Sequence, residues 1–110
     1  MVKNKLIHDS VVVYPKGRID LHTNPLLATD FNDIMKKYPD HHYIFNMKDV
    51  EYMSSSGLGL MITIRRKLEA KQKKFIICEI NNAVHKIFEA VGMGDGFESY
   101  ASENEALDTI

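Results

Sequence analysis

Two spacings of apolar residues alternate along the chain, one typical of strands and one typical of helices. Short β-rich runs, bounded by turn-forming residues, predict strands at residues 5–8, 11–14, 41–47, 74–80 and 97–100. Between and after them, apolar positions recur every three or four residues and predict four helices. The order β-β-α-β-α-β-α-β-α favours an α/β fold with a mostly parallel or mixed sheet of four to five strands and about four helices.

Each predicted helix has a start signal and an apolar stripe. Thr23 or Asn24 is expected to cap the first helix, with Pro25 in its first turn. The stripe of this helix consists of Leu26, Leu27, Phe31, Ile34, Met35 and Tyr38. The stripe of the second helix consists of Leu58, Met61, Ile62, Arg65 and Leu68.

The last two helices follow the same logic. Asn81 or Asn82 is expected to cap the third, whose apolar positions are Val84, Ile87, Phe88 and Val91 and whose stop is the sequence GMGDG. Ser102 and Glu105 have capping-box spacing and predict a short final helix.

Two features are predicted for the strands. The run at 41–47 is nearly continuous in apolar residues at its middle, so we expect a central strand buried on both faces. Pro15 and Gly17 should break or bulge the second strand.

Composition narrows the class of protein. The 110 residues are 45% apolar and 26% charged, as in one globular domain. A formal net charge of −1 gives no basic field for nucleic acid or an anionic membrane. The lone Cys78 lies in an apolar run, so we expect it to be buried, and it fits a reducing compartment. Without an apolar leader or a long apolar run, a cytoplasmic protein is expected.

Ser54, Ser55 and Ser56 form the most distinctive stretch, in the sequence MSSSGLG. We predict a turn between the central strand and the second helix, at the sheet edge where open α/β folds meet ligands and partners. The unpaired N–H groups and the positive dipole end of the helix favour an anion there. Ser54 or Ser55 should cap the helix, and the turn would also tolerate a phosphate.

Other chemistries fit these serines less well. The lysine-bearing phosphate-binding loop is absent, and the first glycine of a hydrolase nucleophile elbow is missing. A serine hydrolase would need a histidine beside Ser55, and no spacing ties one there. His41 and His42 should point to opposite faces of a strand, so we expect no metal site. From the residues alone, the sequence indicates a small α/β domain with a functional strand-to-helix turn.

Two motifs carry a family resemblance. The sequence GRID at 17–20 and YIFNMKDVEYMSSSGLGLMITIRRKL at 43–68 closely resemble the STAS domain of bacterial anti-sigma factor antagonists. The family pattern is Gly-x-Leu/Ile-Asp, a strand ending in Leu-Asp-Leu, then Val-x-x-x-Asp-Ser-Ser/Ala-Gly-Leu-Gly. The resemblance extends over essentially the whole chain. It implies one STAS domain at residues 1–110, without enzymatic activity or a cofactor.

The resemblance also implies partners. In this family a histidine-kinase-like anti-sigma factor phosphorylates one serine, and a PPM-type phosphatase removes the phosphate. Only the dephosphorylated antagonist binds the anti-sigma factor, and this binding frees the sigma factor. The phosphoacceptor aligns with Ser55, with Ser54 and Ser56 as less favoured acceptors. The implied partner-binding residues are Asp20, Thr23, Asn24, Ser54, Ser55, Ser56, Gly57 and Leu58.

At two positions the chain departs from the family. Ser54 and Asn46 stand where the family has aspartates, and both carboxylates would be expected to flank the acceptor. A phosphorylation-independent STAS scaffold that binds a partner in a signalling complex is therefore the second hypothesis. Partner binding should require neither carboxylate. On the following helix, Met61, Ile64 and Arg65 are weaker interface candidates, because apolar residues at helical spacing usually belong to the core.

Overall fold

A computed structural model describes residues 1–90 and 96–110, and its elements confirm the predicted α/β class. The chain order is β1 (Lys3–Ile7), β2 (Ser10–Tyr14), β3 (Gly17–Ile19), α1 (Asn24–Lys37), β4 (His42–Asn46), β5 (Val50–Met53), α2 (Ser55–Glu69), β6 (Phe75–Cys78), α3 (Asn82–Ala90), β7 (Glu98–Tyr100) and α4 (Glu103–Asp108). Val91 and most of the GMGDG stop signal lie outside the described residues.

The main sheet is mixed, as predicted. Its strand order is β1-β2-β4-β6-β7, with β1 antiparallel to β2 and the other pairs parallel. In the central strand β4, Tyr43, Ile44 and Phe45 have no exposed surface. The prediction of a strand buried on both faces is therefore confirmed.

A second sheet, absent from the sequence prediction, consists of β3 and β5 in parallel. The serines therefore follow β5 and not the central strand, so that part of the prediction was wrong. In β5 the two end residues, Val50 and Met53, are buried, whereas the two middle residues are exposed. This pattern lacks the alternation that identifies a strand. The predicted break after β2 is confirmed, because Gly17 starts β3 at a positive φ of 77°.

The two faces of the main sheet carry separate cores. One face packs against α1, α2 and α3 through a large cluster that includes Phe31, Phe45 and Phe75. The other face is covered by α4, where Ala106 packs with Cys78 and three branched aliphatic side chains. Cys78 is fully buried, as predicted, and this burial raises the pKa of its thiol to about 12.

Most of the predicted caps are present. The Asn81 side chain accepts the Val84 N–H at 3.0 Å, and the Ser102 hydroxyl accepts the Glu105 N–H at 3.1 Å. Thr23 occupies the N-cap position of α1, although its side chain does not cap the helix. Leu26 is not part of the buried stripe, because it is 68% exposed. The core face of α1 is defined by Leu27, Phe31 and Ile34, and Leu26 lies about 100° of helix rotation away from Leu27.

Candidate functional site

The starts of α1 and α2 meet at the end of the small sheet. The Ile19 carbonyl, at the end of β3, accepts the Ser54 N–H at 3.0 Å. The Asn24 side-chain amide, in the first turn of α1, donates to the Ser56 carbonyl at 3.0 Å. The structure therefore brings the serine turn (residues 54–56) beside the β3–α1 loop (residues 20–23), two segments that are more than thirty residues apart in sequence.

The three serines occupy different positions at the start of α2. Ser54 is the N-cap, and its hydroxyl accepts the Gly57 N–H at 3.1 Å, which confirms the predicted capping role. Ser55 and Ser56 lie in the first helical turn and are exposed. Within residues 1–90 and 96–110, neither of their hydroxyls takes part in a hydrogen bond with the protein. The positive end of the α2 dipole thus presents two uncommitted hydroxyls to solvent.

Two of the residues expected to touch a partner instead face inward. Leu58 is 2% exposed and belongs to the main core. Gly57 is buried, and a Cβ built on it would lie 2.4 Å from the Ile19 carbonyl oxygen and 2.8 Å from Met53 Cγ. The sequence pattern places both residues at the helix start, but Leu58 packs into the main core and Gly57 lets α2 approach β3 closely.

Asp20 organises the β3–α1 loop. Its Oδ1 accepts the N–H groups of His22 at 3.0 Å and Thr23 at 3.2 Å, and its Oδ2 accepts from Arg18 Nε at 3.3 Å. Burial raises the pKa of Asp20, but these hydrogen bonds outweigh it and hold the pKa below its usual value. The Thr23 hydroxyl donates to the Arg18 carbonyl at 2.7 Å, which fixes the other side of the loop. The loop therefore carries a stable negative charge beside the serine turn.

Arg18 and Tyr52 are site residues that the sequence did not reveal. They are paired across β3 and β5, and the Arg18 guanidinium lies 4.3 Å from the centre of the Tyr52 ring. The pairing of two short strands so far apart in sequence leaves no local signal. Arg18 also binds Asp20, so this exposed pair extends the polar surface of the β3–α1 loop onto the small sheet.

Asn46 does not contact the serine turn, contrary to expectation. Its side-chain amide donates to Glu79 Oε2 at 3.0 Å and to Glu103 Oε1 at 3.1 Å. Glu103 also accepts from the Tyr14 hydroxyl at 2.7 Å and pairs with Lys5 at 2.9 Å. Burial raises the pKa of Glu103, but these three donors outweigh it and lower the pKa. Asn46 thus ties α4 to the ends of β2, β4 and β6.

Two further properties of the described residues concern metal binding and membrane-spanning helices. Residues 1–90 and 96–110 contain no group of three His, Cys, Asp or Glu side chains arranged to hold a metal ion. No helix in these same ranges combines the length and apolarity needed to cross a membrane.

The fold and the serine-glycine helix start together define a STAS domain. The STAS domain family model matches residues 2–106, so the chain belongs to this family. It is 24% identical over 97 residues to the anti-sigma F factor antagonist of Paenibacillus polymyxa, covering 88% of this chain and 83% of the relative. It is 28% identical over 79 residues to the anti-sigma-B factor antagonist of Staphylococcus aureus, covering 72% of each.

Solved structures show the same fold. The anti-sigma factor antagonist SpoIIAA in its unphosphorylated form superposes with a TM-score of 0.79 and 25% identity, over 99% of this chain and 95% of that one. The phosphorylated form of Bacillus SpoIIAA superposes with a TM-score of 0.71 and 24% identity, over 99% and 98% of the two chains.

Proposed function

We propose that this protein is an anti-sigma factor antagonist that binds an anti-sigma factor through the serine turn and the β3–α1 loop, and that phosphorylation of Ser55 breaks the complex. The observation that carries the proposal is the exposed, uncommitted Ser55 hydroxyl in the first turn of α2. A kinase can reach this hydroxyl without disturbing the fold. The names of the curated relatives support the class of partner.

The geometry disfavours Ser54 as the phosphoacceptor. Ser54 uses its hydroxyl to cap α2, so phosphorylation there would disrupt the hydrogen bond to the Gly57 N–H. Asn24 holds the backbone carbonyl of Ser56, which links α2 to α1 and leaves the Ser56 hydroxyl free. Within the described part of the chain, the Ser55 and Ser56 hydroxyls are both exposed and uncommitted, and Ser55 is preferred because it aligns with the family's phosphoacceptor.

A phosphate on Ser55 changes the surface more than the fold. It adds a charge of about −1.5 to −2 at neutral pH. The helix dipole of α2 stabilises this charge, and the phosphate adds to the negative charges of ionised Asp20, which is paired with Arg18, and of exposed Glu51. An acidic partner surface would be repelled and would lose solvation on docking. A loss of about 3 kcal/mol in binding free energy weakens affinity more than a hundredfold, which is enough for a switch.

The partners follow from the same proposal. The anti-sigma factor is a serine kinase of histidine-kinase-like fold, and a PPM-type phosphatase restores the binding-competent form. The solved structures of SpoIIAA in an unphosphorylated and a phosphorylated form support phosphorylation as the means of control. The protein itself is a cytoplasmic binding module that acts without a cofactor and without catalysing a reaction.

One observation favours a second candidate, a STAS scaffold that binds a partner without phosphoregulation. Ser54 replaces the aspartate that precedes the family's phosphoacceptor. The replacement keeps the helix cap, since serine and aspartate are both good N-cap residues, but it removes a carboxylate beside Ser55. A kinase that orients its substrate through this carboxylate would act slowly on this protein.

Intact mass spectrometry distinguishes the candidates. Each histidine-kinase-like serine kinase of the source organism is purified and incubated with the protein and ATP. The proposal expects one added phosphate in the wild type and in Ser56→Ala, and none in Ser55→Ala. Phosphorylation of Ser54→Asp but not of the wild type would favour the scaffold. Hydrolysis of activated esters that disappears in Ser55→Ala would contradict both candidates.

A further inference from the structure

Exposed apolar side chains cluster at one end of the molecule. In the described ranges, the three most exposed large apolar residues are Met1 at 78%, Leu21 at 71% and Leu26 at 68%. Tyr52, at 37%, lies on the small sheet and packs against Arg18, which lines the cavity described below. Leu21 belongs to the β3–α1 loop and Leu26 to the first turn of α1. Apolar exposure on this scale, adjoining a polar site, is typical of a surface that binds another protein.

A cavity of about 350 Å³ opens at the same place. Its apolar lining includes Pro15, Ile19, Leu26 and Leu27. Thr23, which fixes the β3–α1 loop, also lines it. The cavity is therefore continuous with the surface assigned above to the anti-sigma factor, and Leu26 stands at its edge with most of its side chain exposed.

The charged residues around the cavity differ in whether they already have a partner within the protein. Asp30 accepts the Val2 N–H at 2.9 Å, and Arg18 is paired with Asp20 at 3.3 Å. Lys16 is exposed and has no carboxylate within 4.0 Å in residues 1–90 and 96–110. Lys16 is thus available to pair with a carboxylate of a partner, whereas Asp30, which accepts a neutral N–H, keeps its negative charge.

We infer that this cavity receives an aliphatic side chain of the anti-sigma factor, and that a carboxylate on the same segment of the partner pairs with Lys16. Leu21 and Leu26 flank the inserted side chain and lose their exposure to water in the complex. The inference rests on the proposed function. It extends the interface from the serine turn to a second, apolar contact at the cavity. Ser55 controls whether the complex forms, and the cavity contributes affinity and selects among related partners.

The size of the effect follows from apolar burial. Removing a leucine-sized apolar contact from an interface weakens binding by about tenfold to a hundredfold. Replacement by aspartate adds the cost of desolvating a charge, so the upper part of this range is expected. Lys16→Glu should weaken binding by a smaller factor, because a charge pair at the edge of an interface contributes little.

Isothermal titration calorimetry tests the inference with the unphosphorylated protein and the same purified kinases. Leu26→Asp and Leu21→Asp should each weaken binding at least tenfold, and Leu26→Met should bind like the wild type. Leu6→Asp is the matched control, because Leu6 is 45% exposed and lies about 13 Å along β1 from Val2 at the cavity. Equal melting temperatures of the variants exclude unfolding as the cause.

Several outcomes would overturn the inference. If Leu26→Asp and Leu21→Asp bind with wild-type affinity, the cavity is not part of the interface. The proposed Ser55 switch would be unaffected by this result. An equal loss in Leu6→Asp would show a non-specific effect of added charge. If sedimentation shows a dimer of the protein alone that Leu26→Asp dissociates, the occupant is a second copy of this chain. If the wild type binds none of the kinases, the proposed function fails, and this inference fails with it.

Discussion

Replacement of Gly57 by alanine tests how α2 is seated against the small sheet. The added Cβ would lie 2.4 Å from the Ile19 carbonyl oxygen, 2.8 Å from Met53 Cγ and 3.0 Å from Ile19 Cγ2. The closest of these atoms belongs to the backbone of β3, which cannot rotate away as the end of a flexible side chain can. The start of α2 must therefore move, and it carries the serine turn with it.

The expected cost can be estimated from two opposing effects. Overpacking a tight site costs about 1–3 kcal/mol, and a clash with backbone belongs at the upper end of this range. Alanine has a helix propensity that is better than that of glycine by about 1 kcal/mol. The net loss in free energy of unfolding is therefore about 2 kcal/mol. For a domain of this size it corresponds to a fall of about 10 °C in melting temperature.

Gly59→Ala is the matched control in the same helix. Gly59 is exposed, and a Cβ built there meets no atom within 4 Å. Only the propensity effect remains, so this variant should gain up to about 1 kcal/mol and melt about 5 °C higher. Urea denaturation followed by circular dichroism measures both free energies of unfolding. If Gly57→Ala is as stable as the wild type, or matches Gly59→Ala, the close approach of α2 to β3 is refuted.

Two further predictions concern titratable groups. Cys78, with its thiol pKa raised to about 12 by burial, should resist a thiol reagent at pH 8 in the native protein and react at once in urea; rapid native labelling would contradict its burial beneath α4. His42 accepts the Lys74 N–H through Nδ1 at 3.0 Å, and desolvation lowers its pKa below the ordinary value of 6.5. The native state therefore binds fewer protons at His42 than the unfolded chain, so the free energy of unfolding should fall as the pH drops below about 6.5. His42→Gln should reduce this dependence of stability on pH, which urea denaturation at a series of pH values measures. An unchanged dependence would refute the assignment of the effect to His42.

Much of the fold was predictable because its signals are local. The helix stripes and the capping residues Asn81 and Ser102 each act within one or two turns of sequence. The β3–β5 sheet was not predictable, because its strands have three and four residues and depend on a pairing across about thirty residues. The exposure of Leu26 was missed for a related reason: periodicity identifies an apolar face but does not fix where the neighbouring element ends.

The candidate site was predictable as a motif but not as a surface. The sequence identified the serine turn and Asp20, and the structure brings them together through Ile19 and Asn24. Sequence could not show that Leu58 faces inward. It also could not show that Arg18, in β3, donates a hydrogen bond to Asp20 in the β3–α1 loop. Burial and cross-strand contacts depend on the whole fold, whereas a motif records only which residues are neighbours along the chain.

The two missing aspartates have different consequences in this structure. At Asn46 the side-chain amide donates to Glu79 and Glu103, and an aspartate there would place a third carboxylate in the cluster and lose both donors. That substitution therefore concerns how α4 is held, because Asn46 makes no contact with the serine turn. Ser54 retains the cap on α2 but removes a negative charge next to Ser55. Of the two departures, only Ser54 lies in the serine turn, so the test of the proposed phosphorylation switch against a constitutive binding module is how a kinase responds to this one residue.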